Sequence, residues 1–504
     1  MSKLPPGWTV AKLPDIASII MGQSPPSTTY NTEGKGLPFF QGKAEFGDLF
    51  PTPVKYCSQP AKIAEPGDIL ISVRAPVGPT NLCKVKSCIG RGLAAIRLRD
   101  GIPSKYLLYY LRSIEQWLSN QGTGSTFTAI SKSDLEHLDL PLAPLAEQRR
   151  IVAKLEVLLS KIDSCKDRLA KIPIILKRFR QSVLAAACSG RLTADWRDRH
   201  PVRQAADVIM EAVQEELERS ARSATQKARL QQIFAIREEN DSADLPRGWQ
   251  FVALHKLCYS FDYGTSAKSH PSGKVPVLRM GNIQGGRIDW TDLAFTSDSH
   301  EIEKYLLQSR TVLFNRTNSP ELVGKTAIYR GERPAIFAGY LIRINPVPQL
   351  DPEYLNLCLN TAYAREFCTR VKSDGVSQSN INAQKLGMFE VPFCSLPEQQ
   401  EIVRRAEALL RFADRIETRF VRASEQVRNL VPSLLTTAFR GELVATEADL
   451  ITTDGRKLES TEGLLADTSR SSELSPDQVQ SSRWVRSTKV ITKRRSASSS
   501  GVRR

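Results

Sequence analysis

At 504 residues and 41% hydrophobic content, the chain is long enough for several domains with real cores. Its net charge of +16 favours a polyanionic partner over an acidic small molecule. No apolar run approaches the roughly 18–20 residues of a membrane helix, the start MSKLPPGW lacks a signal-peptide core, and nine scattered Cys read as reduced thiols of a cytoplasmic protein rather than a disulfide or zinc framework.

The charge is uneven. Residues 482–504 carry eight Lys/Arg and no acid, and residues 146–190 carry ten basic against four acidic residues. What remains is nearly neutral, so any nucleic-acid contact made by the globular parts must come from local patches.

The chain opens with LPPGW at 4–8 and continues to about 144 as short apolar runs bounded by Gly, Pro and Asn, such as GDILISV at 67–73. These read as strands of a β-rich globular domain. Residues 145–190 read as one long helix. Ile151, Leu155, Leu158, Ile162, Cys165, Leu169, Ile172, Leu176, Phe179, Val183 and Ala186 alternate steps of four and three, the period of a coiled-coil seam. Pro173 should kink or restart the helix, and Gly190 should end it. Residues 191–244 form a linker with a charged helical segment.

At 245 the text begins again. LPRGW at 245–249 repeats LPPGW, and residues 245–395 read as a second β-rich domain with TVLF at 311–314 as one of its strands. LPFFQGKAEFG aligns with VPVLRMGNIQGG, so Gln41 faces Arg279 and Ala44 faces Asn282; SKYLLYYL aligns with PEYLNLCL, and GTGSTFTAISKSDL with SDGVSQSNINAQKL. Residues 396–441 repeat 145–190 without a gap, about 251 residues later. The second seam runs Ile402, Ala406, Leu409, Ala413, Ile416, Phe420, Ala423, Val427, Leu430, Leu434 and Thr437, with Pro432 inside and Gly441 at the end. Identical registers predict that the two helices pair, and antiparallel pairing places the domains at opposite ends of a rod. Residues 442–504 read as a disordered, basic, Ser/Thr-rich tail. The fold class is therefore α+β: two β-rich domains, two long helices forming an antiparallel coiled coil, and a pseudo-twofold internal repeat.

Motifs for catalysis fail one by one. VGKT at 323–326 lacks the glycine that a phosphate loop needs at 319, where Ser stands. Pro14-Asp15 with Glu33-Gly34-Lys35 fits a nuclease pattern only loosely, and Asn318-Ser319-Pro320 is half of an adenine-methyltransferase motif with no cofactor loop before it. The five His have no Ser or Cys partner in view. No catalytic residue, metal ligand or cofactor site is assigned.

A recognition chemistry remains. Arg pairs with guanine edges and Asn or Gln with adenine edges, because both present bidentate donor and acceptor geometry. The first domain offers Gln41, Lys43, Arg74, Arg91, Ser125, Thr126 and Lys132, and the second offers Arg279, Asn282, Arg316, Asn318, Lys325, Gln378, Asn380 and Asn382. The polar loops 122–132 and 373–382 are the preferred base readers, and the segments around Arg74, Arg91, Arg316 and Lys325 come next; some of these residues should contact phosphate only. Like helices carrying unlike loops suggest one scaffold with two reading heads. Two other readings stay open: a coiled-coil scaffold that never reads DNA, and a self-contained nuclease or methyltransferase.

The phrases LPPGW/LPRGW, PLAPLAEQRRIVAKLE, IPIILKRFRQSVLAAACSGRLT, SLPEQQEIVRRAE and LLTTAFRGEL, in this order, resemble the specificity subunits of type I restriction–modification enzymes, with the central phrase pointing to the enterobacterial K-like group. The resemblance implies two target-recognition domains separated by an antiparallel pair of conserved helices. It implies double-stranded DNA as ligand, two modification subunits that use S-adenosylmethionine for adenine N6 methylation, and restriction subunits that use ATP and Mg. This chain would then be a non-catalytic, cytoplasmic prokaryotic subunit that chooses a bipartite sequence.

Overall fold

The computed structural model describes residues 4–121, 129–200, 206–221, 223–236, 244–375 and 378–454. Two units account for the chain: residues 1–169 with 423–504, and residues 170–422. The division runs through the long helices rather than at their ends.

In the first unit, short Ile- and Leu-rich runs pair as a four-stranded antiparallel sheet in the order Ala17–Met21, Leu93–Leu98, Ile69–Ser72, Thr80–Leu82. A five-stranded sheet contains Leu37–Phe40 parallel to Ser87–Ile89. The helix Ser104–Ser113 buries Tyr106 and Leu107 in the main core. Strand Thr9–Lys12 pairs with Asp139–Leu142, which closes the globular part just before the first long helix.

The second unit repeats this plan in register. Leu93 lies opposite Ser72 and Ala94 opposite Met21, as Leu341 lies opposite Asn315 and Ile342 opposite Tyr263. Strand Val275–Leu278 runs parallel to Ile336–Phe337, and helix Pro352–Leu359 buries Tyr354 where the first unit buries Tyr106. The linker helices Ala206–Ser220 and Ala224–Ala235 are present as expected, but they are not merely charged connectors: Val213 and Leu217 are buried in the second unit's core.

The long helices are Leu145–Cys188 and Leu396–Phe439, 44 residues each. Both run on through Pro173 and Pro432, so of the expected kink or restart the restart does not occur; each Pro removes one N–H from the ladder, and the turns either side carry the helix across. Gly190 and Gly441 end the helices with φ of 67° and 76°, the left-handed region that favours glycine.

Helix packing is antiparallel within each unit. In the first, Ile151 and Leu155 share a core with Leu435, Ala438 and Phe439, and in the second, Val183, Leu184 and Ala187 share one with Ile402 and Ala406. Of the seam, Ile162, Leu176 and Ala413 are also buried, and Leu158, Leu169, Phe179, Leu409, Ile416, Phe420 and Leu434 are half-buried. Cys165 and Leu430 are exposed, Leu430 by 48%. The reason is the helical period. A straight helix drifts about 20° per heptad from a 3.5 repeat. Over the four heptads from Ile402 to Leu430 that is about 80°, close to one residue, and the buried positions become Leu435, Ala438 and Phe439, with Val431 half-buried in place of Leu430.

The start of the expected disordered tail is ordered. Leu443 and Val444 pack against the first unit's core, and Glu447–Asp454 is helical. Residues 455–504 lie outside the described residues.

Candidate nucleic-acid interface

In the first unit, four strands end beside one another. Gly90 N donates to Phe40 O at 2.8 Å, Val73 N to Gly92 O at 3.0 Å, and Gln23 N to Ile89 O at 3.1 Å. Glycine permits this crossing: a Cβ on Gly92 would lie 2.2 Å from Gln41 O, and one on Gly22 would lie 2.2 Å from Gly90 O. The residues that emerge are Gln41 after Leu37–Phe40, Arg74 after Ile69–Ser72, and Arg91 in the corner before Leu93–Leu98.

With Lys43 these line a cleft of about 250 Å³, completed by Ser24, Gly42, Ser72, Ala75 and Gly92. Four sequence-predicted residues therefore meet at one place. No carboxylate lines the cleft. Lys132 is elsewhere, exposed at the start of helix Lys132–Glu136 and 3.1 Å from Glu136. Ser125 and Thr126, with the rest of 122–128, lie outside the described residues.

The second unit carries different side chains at the same register. Arg316 N donates to Tyr340 O as Val73 N does to Gly92 O, and Ile381 N to Arg316 O as Ile130 N does to Val73 O. Thr317 lies opposite Asn380 as Arg74 lies opposite Ala129. Arg316 thus stands where the first unit has Val73, Tyr340 where it has Gly92, and Tyr263 where it has Met21.

Arg316 is held firmly. Its guanidinium stacks 4.7 Å over the Tyr263 ring, Nη2 donates to Asn380 Oδ1 at 3.3 Å, and Asn380 Nδ2 donates to Thr317 Oγ1 at 2.9 Å. Asn318 sits on the same three-stranded sheet, its Oδ1 accepting from Ser319 N at 2.8 Å, and Gln378 is exposed beside it. Arg316, Asn318, Gln378 and Asn380 are thus brought together.

Of the other candidates, Asn282, Asn382 and Lys325 are not at this place, and Arg279, which follows Leu278 as Gln41 follows Phe40, is held by its neighbours. Asn282 is only 3% exposed; its Oδ1 accepts from Arg279 N, and its Nδ2 donates to Asp289 O and Thr291 O. It holds a turn and has no amide edge left for a base. Asn382 caps helix Ala383–Gly387 by accepting from Lys385 N at 2.8 Å, as Ser131 caps its counterpart in the first unit. Arg279 Nη2 donates to Asp292 O, and Lys325 Nζ donates to Gln284 Oε1 at 2.9 Å.

The expected pairing of Ala44 with Asn282 is one residue off. Glu45 Oε2 accepts from Gly42 N as Asn282 Oδ1 accepts from Arg279 N, so the first unit has one residue more between its strand and the turn, and Glu45 is the counterpart of Asn282.

Sequence reasoning missed Tyr263 and Tyr340, which are 41% and 48% exposed at this site. It also missed Asn315, fully buried in register with Ser72. Among the described residues, neither of its side-chain polar atoms has a protein partner, and the same holds for the buried Nε of Arg279 and of Arg316. Unpartnered polar atoms gather at the second unit's counterpart of the cleft.

The failed catalytic motifs have structural employment. VGKT forms the hairpin between Thr311–Asn315 and Thr326–Tyr329, with Gly324 at φ 90°. Asp15 caps a turn by accepting from Lys12 N, and Lys35 pairs with Glu33. Among the described residues no group of three His, Cys, Asp or Glu could hold a metal ion, and no helix is long and apolar enough to cross a membrane.

The shared phrases prove to be architectural. Trp8 Nε1 donates to Glu147 Oε1 at 2.9 Å, and Trp249 Nε1 to Glu398 Oε2 at 3.0 Å. Gln148 Nε2 and Gln399 Nε2 donate to Ala143 O and Cys394 O, both at 2.8 Å.

Comparison with known proteins gives the repeated unit a family. The family model of the type I restriction modification DNA specificity domain matches residues 5–173 and 246–420, more than half of the chain. The chain is 28% identical over 469 residues to the EcoKI specificity subunit of Escherichia coli K12, covering 88% of this chain and 90% of that one. It is 47% identical over 161 residues to the putative MjaX specificity subunit of Methanocaldococcus jannaschii, which is 31% of this chain and 38% of that one. A solved HsdS subunit of Thermoanaerobacter tengcongensis is 55% identical over 33% of this chain and 41% of that one, with a TM-score of 0.31. The chain belongs to the family of type I restriction–modification DNA specificity proteins, and it carries that family's domain twice.

Proposed function

We propose that each unit reads one half of a bipartite duplex target through the strand-end site, and that the chain directs adenine N6 methylation or restriction by partner subunits without supplying a catalytic group. One observation carries the reading. The same backbone site occurs twice in register, with Gln41, Arg74 and Arg91 at one copy and Arg279, Thr317 and Gly339 at the other. A repeated frame with altered side chains is what two different half-sites require, because each bidentate side-chain–base pair contributes about 1–3 kcal/mol of discrimination.

In this reading two modification subunits bind S-adenosylmethionine, and restriction subunits bring ATP and Mg. The long helices set the distance between the half-sites and dock the partners. The whole assembly works in the prokaryotic cytoplasm. The test is to co-express the chain with a compatible modification subunit and map N6-methyladenine by single-molecule sequencing. One interrupted motif, methylated on both strands, is the expected result; a stable complex that leaves the genome unmethylated overturns it.

A further inference from the structure

We propose that the cleft of the first unit is a seat for a DNA backbone phosphate, whereas its counterpart in the second unit is not. The inference rests on the DNA-reading function proposed above and adds how the two heads divide the work.

Lys43, Arg74 and Arg91 point three cations at one cleft that no carboxylate lines. Among the described residues, none of the three side chains makes an ion pair or hydrogen bond. Like charges gathered without an ion-pair partner repel one another, and an anion seated among them relieves that repulsion; the Glu45 carboxylate next to the lining accepts from Gly42 N and pairs with none of the three. A phosphodiester supplies the charge, and its oxygens accept from two guanidinium forks and an ammonium. The cleft has the volume of about eight water molecules, enough for a phosphate group and a few waters. Ser24 on the lining adds a hydroxyl, whereas the Ser72 hydroxyl already donates to Arg74 O at 3.0 Å.

The second unit has removed these cations. Thr317 and Gly339 stand in register with Arg74 and Arg91. The basic residues it keeps are engaged: Arg279 with Asp292, Lys325 with Gln284, and Arg316 with Tyr263 and Asn380. A guanidinium fixed by a ring and an amide presents its fork in one orientation, as base reading needs. Long side chains without partners have no fixed fork and suit phosphate, whose recognition is sequence-independent. At the first unit's site Lys43, Arg74 and Arg91 therefore supply a salt-sensitive grip beside Gln41, which is left to read the base, and at the second unit's site Arg316 supplies the discrimination.

The experiment uses the full chain assembled with its modification subunits, and duplexes with and without the mapped target. Binding is measured from 50 to 200 mM salt. The triple variant Lys43→Gln/Arg74→Gln/Arg91→Gln is expected to flatten the plot of log K against log salt by at least about 0.9, so that roughly 3.5-fold less affinity is lost across that range. Target and non-target duplexes should weaken alike. Arg74→Lys/Arg91→Lys keeps the charge and is expected to keep both slope and discrimination, whereas a base-reading arginine would lose discrimination on becoming lysine. A duplex with one half-site phosphate replaced by neutral methylphosphonate should weaken the parent complex and leave the triple variant unaffected.

An unchanged slope in the assembled triple variant overturns the proposal. So does a loss of discrimination in the lysine variant, which would make Arg74 or Arg91, and not Gln41 alone, a base reader. If the parent complex prefers no sequence at all, the DNA-reading function itself fails, and that result is separate from either.

Discussion

The two ends of each unit have different histories. Where a domain meets the long helices, the halves are nearly interchangeable: Trp8 bonds Glu147 as Trp249 bonds Glu398, and a Cβ on Gly441 would strike Pro5 as one on Gly190 would strike Pro246. Where the strands end, the halves share only the backbone. Arg74 faces Ala129 while Thr317 faces Asn380, and a cleft with three unpaired cations is replaced by an arginine packed on a tyrosine. Identity is kept where the residues hold the frame and lost at the strand ends, where the proposed readers stand. The difference locates function better than any single motif does.

The frame is not equally strong in both halves, and this is where it can be tested hardest. Glu398 accepts from Trp249, Thr193 and Arg197, the last at 2.6 Å, and its side chain is almost fully buried. Among the described residues, Glu147 accepts only from Trp8 and the backbone N–H of Glu447. Glu398→Ala strands a largely buried guanidinium and should cost about 3–5 kcal/mol. Glu147→Ala strands two neutral donors and should cost about 1–3 kcal/mol. Urea unfolding of the two variants should rank them in that order; equal losses would mean that the Arg197 pair contributes nothing.

A smaller effect is expected at the helix ends. Gly190→Ala and Gly441→Ala each force a side chain into left-handed backbone, at about 1–2 kcal/mol, and drive a Cβ against proline. Because the two sites are copies, the losses should match. A large difference between their unfolding midpoints would break the equivalence.

At the reading ends, Arg316→Lys should cost about 1–3 kcal/mol of discrimination against a single base change in one half-site. Competition binding between target and single-mismatch duplexes measures it. No change in the ratio would remove Arg316 from base reading.

The smallest effect is in the pH dependence. Arg405, with Arg199, holds the Asp195 carboxyl down at about 2, and Arg404 with Arg405 holds Glu401 at about 2. Depressed carboxyls stabilise the fold above their ordinary range near pH 4, and that contribution is lost as pH falls toward 2. Burial pushes Glu147 the other way, so its contribution is present in acid and is lost as pH rises through its raised pKa. Asp195→Asn should flatten the acid limb of the second unit's stability, and Glu147→Gln should remove the loss of the first's that sets in as pH rises above the ordinary carboxylate range. Parallel curves for parent and variants would contradict both assignments.

Much of the frame was legible because duplication writes it twice: the helices, their glycine ends and the strands GDILISV and TVLF all lie where the spacing put them. Leu430 was misplaced because apolar spacing fits 3.5 and 3.6 residues equally well over short runs, and the difference builds up only along 44 residues. The site was legible in part. Gln41, Lys43, Arg74 and Arg91 carry the right chemistry, but only the strand order brings residues that far apart in sequence to one cleft. Asn282 and Asn382 carry the same chemistry as base readers and use it on their own backbone. The trace of that use is short: each lies within three residues of the N–H it accepts from, a capping signature. Tyr263 and Tyr340 escaped notice because an aromatic at a strand end reads as core until its neighbours are known.

The central claim is that the two strand-end sites read separate halves of one target. The most direct measurement is a genome-wide map of N6-methyladenine in cells that make the modification subunits with either the parent chain or its Arg316→Ala variant. The account predicts an interrupted motif in which the variant relaxes one half and leaves the other half and the spacer unchanged. A motif that relaxes in both halves, or in neither, would contradict it.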